Sequence, residues 1–194
     1  MKIQAGIFLV CASTLSTSAQ CDDWKFGAQL SYISGINDVR DLYKSNLRYE
    51  HSADIEEEES LPIGLGFRSV YHSDNGARID LSVGPFAIIF GDVDHVELPI
   101  AGSIGYNFNP SGTITPYVRA GLAYHFINGD YVEDSDVGLI GAVGIEFGHG
   151  KRFSWGLELA IDTTTVEFEE LGAYEDGYTE IETYDTIASA YFTF

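Results

Sequence analysis

Eight times between Trp24 and Phe194 the chain alternates large apolar residues with small or polar ones at a period of two. That period belongs to a β-strand with one apolar face. The first run sets Trp24, Phe26, Ala28, Leu30 and Tyr32 against Lys25, Gly27, Gln29 and Ser31. The next two set Leu61, Ile63, Leu65 and Phe67 against Gly64, Gly66 and Arg68, and Ile79, Leu81, Val83 and Pro85 against Arg78, Asp80, Ser82 and Gly84. Further runs cover Val96 to Phe108, Val118 to Phe126, Val137 to Phe147, Phe153 to Thr163 and Ala188 to Phe194. Between them lie three tight, turn-rich connections, Ser73 to Gly76, Asn109 to Ile114 and His149 to Arg152, which alternate with four longer or more acidic ones, Gly35 to Ser60, Gly91 to His95, Asn128 to Asp136 and Glu169 to Ile181. The fold class this predicts is all-β, an eight-stranded antiparallel up-and-down transmembrane β-barrel, with both termini on the short-turn side.

The two faces decide between a membrane barrel and a soluble one. A ligand-binding barrel in water would bury its large apolar face, whereas here the Gly, Ser and charged face is the smaller and suits the inside. Aromatic residues sit where strands would leave the hydrocarbon. Trp24, Phe26, Tyr106, Phe108, Phe153, Trp155, Phe192 and Phe194 lie near the short turns, and Tyr32, Phe90, Tyr124 and Phe126 near the other end. No run after residue 20 is long and apolar enough for a spanning helix.

Residues 1–19 read as a cleaved signal peptide, with Lys2, an apolar stretch from Ile7 to Val10 and a Thr17-Ser18-Ala19 end. Residues 20–194 are then the barrel domain. Cys11 leaves with the signal, and Cys21 alone forms no internal disulfide; Gln20 in front of it argues against a lipidation site. The formal net charge is −20, which excludes nucleic acid as a partner because phosphate needs a basic surface.

The inward faces carry Lys25, Arg68, Arg78, Asp80, Glu97, Arg119, His125, Glu146, Glu158, Asp162 and Asp185. Buried charges are tolerated only when paired. An interior charge network is therefore expected, centred on Arg119, Glu146 and Glu158, with Arg68 and Asp80 as a second cluster and Arg78 beside them. Eight strands leave only enough room for side chains to fill, so a polar plug is the first reading, and a narrow cation-favouring channel the alternative. The long connections hold nineteen acids against Arg40, Lys44 and Arg48. Among these, Glu56, Glu57, Glu58, Glu59, Asp134 and Asp136 are candidate weak divalent-cation sites, and Tyr43, Tyr49, Tyr131, Tyr174 and Tyr178 are candidate contact residues. No metal is otherwise assigned, and no cofactor is called for.

The fifth-strand phrase PYVRAGLAYHF, the GAVGIEFG stretch before a short turn and the terminal alternation ending in Phe194 resemble the small outer-membrane β-barrel families. These include the outer membrane protein A transmembrane domain, the OmpX-like barrels and the opacity-type porin-like proteins. The resemblance implies a bacterial outer-membrane location among lipids and lipopolysaccharide. It also implies a C-terminal signal for the barrel-assembly machinery at Phe194, with Phe192 and Tyr191 in support. The function it suggests is that of a monomeric, non-enzymatic barrel contributing to envelope integrity and to surface interaction or adhesion through its acidic loops. Some relatives modify lipid A through His with Ser and a carboxylate, but His51, His72, His95, His125 and His149 form no such set on the lipid-facing wall.

Overall fold

The computed structural model describes residues 24–51, 59–90, 95–149, 151–171 and 177–194. The signal segment, Cys21, Glu56, Glu57, Glu58 and the side chain of Glu59 lie outside the described residues. Eight strands form the wall: β1 (Trp24–Ile33), β3 (Ile63–His72), β4 (Ala77–Val83), β6 (His95–Asn107), β7 (Ile114–Gly129), β9 (Val137–Phe147), β10 (Ser154–Asp162) and β13 (Asp185–Thr193). They pair antiparallel in the ring β6-β4-β3-β1-β13-β10-β9-β7, and β7 pairs β6 from His95↔Gly129 to Asn107↔Tyr117. The first and last strands meet from Gly27↔Thr193 to Ile33↔Ile187. A closed ring leaves no strand edge unpaired, which a spanning structure requires because hydrocarbon offers backbone groups no partners.

Burial follows the alternation. On β10, Trp155, Leu157, Leu159 and Ile161 are exposed while Ser154, Gly156, Glu158, Ala160 and Asp162 are buried. Leu65, Ile104 and Leu139 are each about two-thirds exposed on other strands. An apolar wall of this extent is stable against lipid and would be an aggregation surface in water. Phe26, Tyr106, Phe108, Phe153, Trp155, Phe192 and Phe194 stand outward at one end, and Tyr32, Tyr124 and Phe126 at the other. The three tight turns close with bonds from Gly76 N to Ser73 O, Gly112 N to Asn109 O and Lys151 N to Gly148 O.

At the far end the wall continues into a folded cap built largely from the longer connections. Beyond Pro62, β3 extends as β2 (Glu59–Leu61), and beyond Phe86, β4 extends as β5 (Ala87–Phe90). The strands β8 (Val132–Ser135), β11 (Thr165–Glu170) and β12 (Gly177–Glu182) make a separate three-stranded sheet in the order β12-β11-β8. The connection from Gly35 contains the helix α1 (Ile36–His51). Its buried residues Ile36, Val39, Tyr43 and Leu47 lie at helical spacing, a signal hidden in the sequence by the polar residues around them. They join Val166 and Phe168 of β11 and Ile89 of β5 in one apolar cluster. Asn46 clasps the same sheet, donating to Glu169 O at 2.7 Å and accepting from Leu171 N at 2.9 Å.

Three side chains sit elsewhere than the sequence implied. Tyr43 is fully buried rather than presented as a contact residue. His95 opens β6 and points inward, instead of lying in a loop. Asp185 is exposed, because it begins β13 with a positive φ of 40° that breaks the inward alternation.

Candidate functional site

The barrel interior is filled in layers, each set by strand register. Nearest the short turns, Glu146 of β9 is surrounded by polar side chains from four other strands and from the turn that follows it. Arg78 Nη1 lies 3.0 Å from Oε2 and His149 Nδ1 3.2 Å from Oε1. The Tyr191 hydroxyl donates at 3.4 Å, His72 Nε2 lies 3.5 Å away, and Lys25 Nζ 4.0 Å.

The middle layer is a chain of ion pairs. Arg78 Nε donates to Asp80 Oδ2 at 2.6 Å, and Arg68 Nε donates to Asp80 Oδ1 at 2.7 Å. Arg68 Nη2 then reaches Glu158 Oε2 at 2.7 Å. Arg119 forks onto the same carboxylate through Nε at 2.9 Å and Nη2 at 2.8 Å, while Nη1 donates to Ser103 Oγ. Tyr117 donates to Glu158 at 2.7 Å. Its ring lies 3.8 Å from the Arg78 guanidinium carbon, and Tyr191 stacks likewise on Arg68 at 4.3 Å. These planar contacts add cation–π attraction to the ion pairs. Two inward glycines make room for the rings: a Cβ on Gly144 would collide with Tyr117, and one on Gly156 with Tyr191.

The six charged residues singled out from the sequence, Arg68, Arg78, Asp80, Arg119, Glu146 and Glu158, are thus all buried here, but with different partners. Arg119 does not pair with Glu146. On adjacent strands Arg119 faces Ala142 while Glu146 faces Thr115, which sets Glu146 nearer the short turns. Nor are there two separate clusters, since Arg68 is long enough to join Asp80 to Glu158 and Arg78 to join Asp80 to Glu146. Across these two layers the three guanidiniums stand against three carboxylates, so the six residues carry no acidic surplus.

An outer layer, which the sequence did not assemble, links the cap to the lumen. The Tyr43 hydroxyl donates to His95 Nδ1 at 2.9 Å, and His95 Nε2 lies 3.3 Å from Glu97 Oε2. Burial, with the carboxylates of Asp130 and Glu97 nearby, pushes the Tyr43 phenol up and keeps its proton in place. Glu97 Oε1 also meets His125 Nδ1 and the Thr183 hydroxyl, each at 2.5 Å. His125 Nε2 faces Asp162 Oδ2 at 3.2 Å, and Thr164 ties off Asp162. The inward alternation of His95 with Glu97 hinted at this, but only the register brings β7 and β10 to meet them. Between the outer and middle layers remains a cavity of about 20 Å³, bordered by Gln29, Arg119, Glu158, Asp162 and Tyr184. That is space for about one water.

Phe192 and Phe194 face outward, whereas Tyr191 is buried in the lumen. Asp134 and Asp136 border a small polar cleft of about 40 Å³ with Ser135, Thr165, Glu167 and Glu180. Glu167 stands directly across from both Asp134 and Glu180. The described histidines His72, His95 and His125 are buried in the lumen, and His149 lies at its mouth.

The comparisons with known proteins agree with this architecture. The family model described as outer membrane protein beta-barrel domain matches residues 5–188. Among solved structures, the outer membrane protein OprG from Pseudomonas aeruginosa superposes with a TM-score of 0.57 at 11% identity, covering 88% of this chain and 94% of that one. The solution structure of E. coli outer membrane protein W gives 0.52 at 16% identity, covering 89% and 97%. No curated protein sequence matches. At such identities the structures speak for the fold, and the family match carries the assignment: the chain belongs to the outer membrane protein β-barrel family and is a bacterial outer-membrane protein.

Proposed function

We propose that the protein is a closed, non-enzymatic surface barrel that contributes to envelope integrity and presents its acidic cap for surface interaction or adhesion. The observation that carries this reading is the lumen itself. Arg68, Arg78 and Arg119 with Asp80, Glu146 and Glu158 cross it from wall to wall as a balanced set of buried ion pairs, beneath a cap with its own apolar core. A fold that uses its interior for structure leaves the rims for function. By the family's topology the short turns are periplasmic and the cap extracellular. The cap then shows Asp38, Asp41, Glu133, Asp134, Asp136, Glu170, Glu180 and Glu182 as exposed acids to the outside. Lipopolysaccharide around the barrel, the barrel-assembly machinery acting on Phe192 and Phe194, and a monomeric state belong to the same proposal.

Planar-bilayer recording and cell-surface binding test it together. The purified barrel is expected to give no resolvable conductance steps. Cells displaying it should lose binding to their target surface when Glu167, Glu180 and Glu182 are changed to Gln. Regular cation-selective steps would replace this reading with the narrow channel, whose support is the overall acidity of the chain.

A further inference from the structure

At the periplasmic mouth, three side chains from opposite sides of the barrel turn their donor atoms toward one another. His72 ends β3, Glu146 lies on β9, and His149 follows it in the turn. In the eight-stranded ring β3 and β9 are four strands apart in either direction, so they are opposite walls. One ligand atom from each of the three residues falls within 4.8 Å of the others. His72 is over nine-tenths buried, and its Nε2 has no hydrogen-bond partner although it points into this group. A buried imidazole nitrogen without a partner calls for an explanation.

We propose that His72 Nε2, the Glu146 carboxylate and His149 Nδ1 form a binding site for a divalent transition metal of the zinc, copper or nickel class, which ties opposite walls of the barrel together. Two imidazoles and a carboxylate are the donor set these borderline ions take, while calcium and magnesium prefer oxygen alone. The spacing suits them. Ligands about 2.0–2.1 Å from a tetrahedral zinc lie about 3.3 Å apart; Glu146 Oε1 stands 3.2 Å from His149 Nδ1, and its other oxygen, Oε2, 3.5 Å from His72 Nε2. His72 Nε2 must draw toward Oε1 and His149, and the two imidazole rings already pack edge to face with centroids 4.6 Å apart. His149 sits in the turn after β9, with its side chain buried against His72 and Nδ1 already on Glu146. Arg78 holds Glu146 Oε2, which leaves Oε1, the atom facing His149, for the metal.

The surroundings also supply an orienting group and a brake. The Asn107 carboxamide lies 3.0 Å from His72 Nδ1. Coordination through Nε2 leaves the proton on Nδ1, which donates to the Asn107 oxygen once that amide turns it toward the ring, the usual support of a metal-binding histidine. Lys25 Nζ, 4.0 Å from Glu146, opposes the incoming charge and limits the affinity.

Titration of the untagged, refolded protein in detergent with Zn²⁺ alone by calorimetry, and with Cu²⁺ alone by electron paramagnetic resonance, decides the matter. One equivalent of zinc should bind, and copper should show coupling to two imidazole nitrogens. His149→Gln and His72→Gln should each weaken zinc binding at least about tenfold, Lys25→Met should strengthen it, and excess Ca²⁺ should not compete. Because His72 is buried, the heat-dependent shift in gel mobility checks that each variant is folded, and His149→Gln, in the turn, keeps the test open if His72→Gln is not. Zinc binding unchanged in folded His149→Gln, or seen only after Lys25 is removed, or absent throughout, overturns the site.

Discussion

Arg68 of β3 crosses the lumen to Glu158 of β10, with Nη2 2.7 Å from Oε2. These strands are three apart in the ring, so the bond braces the wall across its interior rather than along its surface. Glu158 holds Arg119 and Tyr117 at the same time. Arg68→Met should therefore leave the Asp80 and Glu158 carboxylates short of a partner in a buried setting and cost about 3–5 kcal/mol. Denaturant unfolding of the refolded barrel in lipid vesicles measures this, and a loss below about 1 kcal/mol, the scale of an exposed pair, would show that water reaches the layer.

Room for the stacked tyrosines comes from the glycines facing them. Gly156→Val drives a side chain into the Tyr191 ring and should destabilise by about 1–3 kcal/mol, the usual cost of overpacking. Tyr191→Leu in the same chain should return part of that loss, because it removes the atoms that collide. A double-mutant cycle with no coupling between the two changes would place the strain elsewhere.

The cap is held to the barrel partly through Tyr43 and His95. Tyr43→Phe removes the hydroxyl and leaves a buried imidazole nitrogen unsatisfied, a cost of about 1–3 kcal/mol. Since the ion pairs below are untouched, the change should appear as faster tryptic cleavage at Lys44 and Arg48 of α1, with the barrel's heat-dependent gel mobility unaltered.

Asp134, Glu167 and Glu180 form a row of like charges across β8, β11 and β12. Directly opposed like charges destabilise a sheet, so Glu180→Lys should stabilise the cap by about 0.2–1 kcal/mol. Added sodium chloride should slow cap proteolysis in the parent more than in the variant, since it screens the repulsion that the substitution removes.

Much of the wall was legible because alternation is a local property. The faces of Trp24 to Tyr32, of Val96 to Phe108 and of Trp155 to Ile161 can be read from neighbouring residues alone, and a polar inside with an apolar outside then selects the membrane barrel. The helix α1 was legible in principle at Ile36, Val39, Tyr43 and Leu47, but those four positions are spread among polar residues that read as loop. The three-stranded sheet was not, since β8, β11 and β12 are short, acidic and meaningful only when stacked over the helix.

For the interior, the sequence determined which charges point inward, because the period of two assigns each residue a face. Which charge meets which is decided by register and reach. A shift of a few residues along β9 carries Glu146 away from Arg119 and into the company of Arg78, His72 and His149. A long guanidinium lets Arg68 span strands that are neighbours neither in sequence nor in the ring. Pairing across a closed barrel is a property of its circumference, and no stretch of sequence contains that; only closure of β1 onto β13 brings the partners together.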